Sequence, residues 1–179
     1  ISIESISYKV LLPNPNNLNI FVNRCQTLAR CFCNLFRTLA AFNQCLDVHF
    51  SKDGEIVVIH DERVDRTSDG EGYVVEFTYE ELSKFDASSS FAGVYGFNRI
   101  PTLREYFELV KPVEGFITNI ELKTSINEYP GIEKAVLELI DEFGLEDRII
   151  ISSFNHYSIM RTKAINPRIR CGFLESSWI

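Results

Sequence analysis

No apolar run in this sequence approaches the ~20 residues that a membrane-spanning helix requires, so no transmembrane segment is expected. The opening residues, ISIESISYKVLLPNPNN, also lack the basic start and small-residue cleavage site of a signal peptide. Basic charge is in deficit: 18 Lys and Arg stand against 25 Asp and Glu, a net charge of −7. No basic stripe offsets that balance, which argues against nucleic acid as a partner. The five cysteines, Cys25, Cys31, Cys33, Cys45 and Cys171, form no CxxC pair and stand at no zinc-finger spacing with histidine. Their odd number and absent pairing make reduced thiols and a cytoplasmic location the expectation.

What is present is the composition of an ordinary soluble domain, with 45% hydrophobic and 24% charged residues over 179 positions. That length suits one domain with a substantial core. Residues 1–33 are poorly patterned, whereas the chain from Leu46 onward alternates short β-branched runs with amphipathic ones. LDVHF (46–50), EIVVIH (55–60), FITNIEL (116–122), RIIISSF (148–154) and RIRCGFL (168–174) read as strands, the first two joined by a turn at Lys52-Asp53-Gly54. Thr78 with Glu81, and Thr102 with Glu105, have the spacing of capping boxes, and Phe77 with Leu82 that of a hydrophobic staple. Between Gly131 and Phe143 the apolar positions 132, 135, 136, 139, 140 and 143 trace one helical face, with Gly144 placed to end it. A further short helix is expected from Asn155.

Strands alternating with helices predict a parallel α/β architecture. In such folds functional groups collect where strands end. Three places meet that condition: His60-Asp61, Glu121 to Lys123, and Ser152 to Asn155. Asp47 and His49 share one strand face, and Glu121 and Lys123 share another. If these strands belong to one barrel, two carboxylates, one or two imidazoles and an ammonium meet at its mouth. Carboxylates hold hard cations, an ammonium neutralises a phosphate oxygen, and an imidazole exchanges protons near neutral pH. Each residue alone has a plainer reading: turn carboxylate, structural histidine or solvated lysine.

The run DVHFSKDGEIVVIHDERVDRTSDGEGYV (47–74) resembles the glycerophosphodiester phosphodiesterase family in residue order and spacing. So do TYEELSKFDASSSF, RIPTLREYFELV, NIELK (119–123) and IISSFN (150–155). The resemblance covers about residues 34 to 174 and sets residues 34–179 apart as a partial domain of that family. It implies a TIM (β/α)8-type barrel, incomplete here because the first strand is unclear and the last two are missing. It further implies metal-dependent hydrolysis of glycerophosphodiesters to glycerol 3-phosphate and an alcohol. On that basis Asp47 and Glu121 are expected to bind a divalent metal, Mg²⁺ or Ca²⁺. His60 is expected as a catalytic acid/base, and Lys123 as the residue on the substrate phosphate.

Three departures accompany the resemblance. The family's His-Arg-Gly motif has no counterpart, because no histidine precedes His49 and neither Arg24 nor Arg30 has a matching context. TLAAF (38–42) resembles a helix start, but only Asn43, Gln44 and Cys45 separate it from Leu46-Asp47, and Cys45 takes the place of the first metal-binding glutamate. A thiolate is a poor donor for a hard cation. The sequence also ends after FLESSWI. These departures leave an alternative expectation, a catalytically inactive binding remnant. A different lipid phosphodiesterase on the same barrel is less favoured, because the compact loop between His60 and Glu121 resembles the bacterial glycerophosphodiester type.

Overall fold

The computed structural model of the chain describes residues 43–89 and 96–175. The poorly patterned residues 1–33, TLAAF, Arg24 and Arg30 lie outside the described residues.

Among the described residues five strands form one sheet: β1 (Asn43–Phe50), β2 (Ile56–Val58), β3 (Ile117–Leu122), β4 (Ile149–Ser153) and β5 (Arg170–Phe173), in the order β2-β1-β3-β4-β5. From β1 through β5 the neighbours are parallel and each new strand adds on the same side, the arrangement of a sector of a (β/α) barrel. The turn expected at Lys52-Asp53-Gly54 sets one strand apart from the parallel array. β2 pairs antiparallel with β1, because the tight turn through Gly54, at φ 83°, returns the chain at once as a hairpin. β2 is also shorter than the apolar run suggested, ending at Val58, so His60 stands two residues beyond the strand. The free edge of β2 is closed by the segment ahead of the next helix, through Val58 N–H to Pro101 O at 2.9 Å.

Among the described residues four α-helices accompany the sheet: α1 (Tyr79–Leu82), α2 (Leu103–Val110), α3 (Ile132–Phe143) and α4 (His156–Ile165). Both predicted capping boxes form, Thr78 with Glu81 at α1 and Thr102 with Glu105 at α2. Phe77 packs on the small apolar cluster that contains Leu82, as a staple should. Gly144, at φ 66°, ends α3 by giving its N–H to the carbonyls of Ile140 and Asp141.

The alternation along the strands divides the sheet cleanly. Leu46, Val48, Ile120, Leu122, Ile149 and Ile151 join Tyr106, Phe107, Val136, Ile140 and Ile159 in the main core, between the sheet and its helices. Cys45, Asp47, His49, Asn119, Glu121 and Ser152 occupy the other strand positions, on the opposite face. Among the described residues no helix is long and apolar enough to cross a membrane.

Candidate active site

The parallel pairing of β1 and β3 sets Asp47 directly beside Glu121, and Cys45 beside Asn119. Lys123 N–H continues the ladder past the end of β3 by bonding to Val48 O at 3.3 Å. Its side chain then returns over the pair. Nζ lies 3.1 Å from Asp47 Oδ1 and 2.8 Å from Glu121 Oε1. Both carboxylates are buried, Asp47 completely.

That burial explains the electrostatics. Desolvation pushes the Glu121 carboxyl above its usual range and the Asp47 charge adds to the shift, while Lys123 opposes both. Burial works against the Lys123 ammonium too, but the two carboxylates outweigh it and raise its pKa, so the group stays charged. The sequence-predicted Asp47, Glu121 and Lys123 therefore come together as one ion-paired cluster.

His60 is held apart from these contacts. Its Nδ1 lies 2.5 Å from Asp61 Oδ1. Arg66 grips the same carboxylate with Nε at 2.6 Å and a terminal nitrogen at 2.7 Å. Burial works against the Asp61 charge, but the Arg66 and His60 hydrogen bonds prevail and lower its pKa. Asp61 is thus ionised and accepts the Nδ1 proton of His60, which leaves Nε2 to exchange protons. His49 lies on the Asp47 face and is fully buried, and its ring feels the charges of Asp47, Lys123 and His60. Burial pushes its pKa down to about 4, so it is neutral at pH 7.

The Ser152–Asn155 end of β4 has a structural role. Ser153 Oγ donates to Leu122 O at 2.7 Å, and Asn155 caps α4 by accepting from Tyr157 N–H at 3.1 Å. Asn119 Nδ2 donates to Ser152 Oγ at 2.9 Å and to Cys45 Sγ at 3.2 Å, which joins three strands across the cluster's floor. Arg66 was missed by the sequence reading because a loop residue five positions from its partner carries no periodic signal. Asn119 shares the strand parity of Glu121, and that parity was available in advance.

The donor set suits a particular kind of cation. Asp47 and Glu121 are hard oxygen donors whose mutual repulsion a cation relieves, and a Mg²⁺-like ion that keeps several waters needs only one or two carboxylates. Ca²⁺, which takes roughly six to eight oxygens, is less well served. The same face also carries the Cys45 thiol, a soft donor. Among the described residues no three His, Cys, Asp or Glu side chains stand close enough to form a metal site by themselves.

Residues 38–177 match the family model described as the glycerophosphoryl diester phosphodiesterase family. The chain belongs to that family. It is 47% identical over 146 residues to a glycerophosphodiester phosphodiesterase of Caldanaerobacter subterraneus, covering 76% of this chain and 60% of that protein. It is likewise 47% identical over 129 residues to one from Bacillus altitudinis, covering 72% and 53%. Among solved structures it resembles an Oleispira antarctica phosphodiesterase in complex with the product sn-glycerol-3-phosphate. That match has a TM-score of 0.67 and 32% identity over 74% of this chain and 54% of the other. A glycerophosphodiester phosphodiesterase from Agrobacterium tumefaciens gives a TM-score of 0.64 and 29% identity over 72% and 52%. The architecture is therefore that of a partial TIM barrel, and the chain spans between half and three-fifths of the length of these relatives. Asp47, Glu121 and Lys123 stand at or near strand ends, the places at which barrel enzymes collect their chemistry.

Proposed function

We propose that this chain acts as a metal-dependent glycerophosphodiester phosphodiesterase, hydrolysing its substrate to glycerol 3-phosphate and an alcohol. The observation that carries the reading is the Asp47–Glu121–Lys123 cluster, two adjacent buried carboxylates and one ammonium at the ends of parallel strands in a chain of this family.

Asp47 and Glu121 would hold the divalent ion, which, when bound, withdraws charge from a phosphoryl oxygen. Lys123 stays protonated because both carboxylates stabilise its charge, and it presents a fixed ammonium to a second phosphate oxygen. Hydrolysis forms one bond from a water oxygen to phosphorus and breaks the bond from phosphorus to the alcohol oxygen. The water loses a proton and the departing alkoxide gains one. His60, with Nδ1 committed to Asp61, moves such a proton through Nε2. Asp61 and Arg66 keep the ring in that tautomer and orientation. Cysteines that form no CxxC pair along the sequence fit a reducing, cytoplasmic setting. The alternative of an inactive remnant draws no support from the relatives, whose names are those of enzymes.

The test is release of glycerol 3-phosphate from glycerophosphocholine by the purified chain with Mg²⁺, with EDTA and His60→Ala as controls. Metal-dependent turnover that His60→Ala abolishes is the expected result. A folded sample with no turnover would overturn the reading.

A further inference from the structure

The side chain of Phe154 takes no part in the hydrogen bonds that fix the Ser152–Asn155 end of β4. Ser153 is wholly buried, its hydroxyl given to Leu122 O at 2.7 Å, and Asn155 Nδ2 donates to Thr124 O at 3.0 Å. These two bonds carry the β3–β4 register, which pairs Glu121 with Ser152, past the ends of both strands. Lys123 and Phe154, the residues between the tied pairs, therefore stand abreast. Strand parity sets Phe154 on the face of Ser152 and Glu121, the face of the ion-paired cluster, and turns Ser153 to the other. Exposure follows the same alternation, since Ser153 is fully enclosed and Phe154 keeps 47% of its surface open.

The backbone that carries the ring is fixed on both sides. Ser153 O accepts from Leu174 N–H at 3.0 Å, and Ser153 Oγ accepts from Asn155 N–H, also at 3.0 Å. Phe154 is thus mounted between β3, the segment after β5 and the start of α4. Among the described residues the ring joins neither apolar cluster. Single exposed apolar residues are common on protein surfaces. This one is distinguished by its place, anchored beside a partly open ammonium. Small-molecule sites combine apolar walls with a few placed polar groups, and an anchored wall loses little freedom when a ligand settles on it.

A phosphate ester held at Lys123 Nζ carries carbon chains on its ester oxygens. A phenyl ring next to that phosphate offers those chains apolar contact and no hydrogen bond. We propose that Phe154 is a substrate-contacting residue, its ring packing on the carbon chain esterified to the phosphate that Lys123 holds. The proposal rests on the phosphodiesterase reading of Lys123. It makes the site selective for phosphate esters over inorganic phosphate. The bare anion reaches the ammonium alone, whereas an ester also covers the ring and removes apolar surface from water.

The test is calorimetry on the full chain with Mg²⁺ present, with inorganic phosphate, glycerol 3-phosphate and phosphocholine as probes. The wild type should bind at least one of the esters more tightly than inorganic phosphate. Phe154→Ala should weaken that ester roughly tenfold, the order expected for one lost apolar contact, and leave inorganic phosphate unchanged. Phe154→Leu, which keeps an apolar side chain, should retain most of the affinity. In kinetics Phe154→Ala should raise KM for glycerophosphocholine with kcat little changed, as for lost ground-state binding. A loss confined to glycerol 3-phosphate sets the ring beside the glycerol, and one confined to phosphocholine sets it beside the alcohol. Inorganic phosphate weakened as much as the esters, or neither ester weakened, would overturn the proposal. Phe154-dependent ester binding by a chain that does not turn over glycerophosphocholine would sink the phosphodiesterase reading alone. A wild type that binds none of the three probes would overturn both.

Discussion

Asp47 and Glu121 are direct partners across the β1–β3 ladder, and Asp47 helps to push the Glu121 carboxyl upward. Two buried carboxylates this close need a positive charge between them, and Lys123 supplies it. Lys123→Met should therefore cost about 3 kcal/mol or more of stability at pH 7.5, because it leaves buried charge uncompensated. A raised carboxyl pKa stabilises the fold below its folded value, so the loss should shrink at a second, more acidic pH where Glu121 takes up a proton. Urea unfolding at the two pH values checks this, and a pH-independent loss would show that repulsion between the pair is not its source.

Charge removal at the same pair should also weaken cation binding. Calorimetry of Mg²⁺ with Glu121→Gln should show affinity reduced at least about tenfold, in line with loss of one ionised ligand. Equal affinity in the variant would place any Mg²⁺ site elsewhere.

Cys45 stands on the face of Asp47 and beside Asn119, its thiol accepting an amide hydrogen bond. Cys45→Glu adds a hard oxygen donor in place of a soft one and should tighten Mg²⁺ binding by about tenfold. The change should be smaller for Cd²⁺, which favours sulfur. A weaker Mg²⁺ affinity in this variant would mean that the glutamate cannot reach the cluster.

Acid sensitivity should trace largely to His49. Its unperturbed pKa is 6.5 and burial lowers it to about 4. Between those values the unfolded chain binds the extra proton, so stability falls as the pH drops through that window. The shift corresponds to on the order of 3 kcal/mol. Glu121 works in the opposite direction, since its raised carboxyl gains a proton first in the folded state. Stability measured across pH 4 to 6.5 should vary less in His49→Gln than in the wild type. Identical profiles would remove His49 as the cause.

Helix α2 depends on its start. Thr102 accepts from Glu105 N–H at 3.1 Å while Glu105 returns a bond to Thr102 N–H, also at 3.1 Å. Thr102→Ala should cost about 1 kcal/mol in thermal or chemical unfolding. An unchanged midpoint would show that packing of Leu103, Tyr106 and Phe107 alone fixes the helix.

Much of this was legible along the chain. The period-two run at Leu46, Asp47, Val48 and His49 and the helical stripe from Ile132 to Phe143 each reflect burial of one face. That pressure is local enough to leave its mark on sequence order. The capping boxes at Thr78 and Thr102 are equally local, each completed within four residues. Residue order from Asp47 to Val74 and at Asn119 to Lys123 carried the family resemblance, and with it Asp47, Glu121, His60 and Lys123 as candidates.

Tertiary structure decided what no local rule reaches. The β1–β3 register, between residues more than seventy positions apart, sets Asp47 against Glu121, and a one-residue slip would have turned one of them to the other face. The early end of β2 moved His60 off the strand and into the grip of Asp61 and Arg66. The meeting of His49 with Tyr129, eighty positions away, depends on a left-handed backbone that sequence propensity disfavours before proline. Local patterns record which face a residue buries. Which buried groups become neighbours is settled when the strands align, because only then do desolvation and charge act between them.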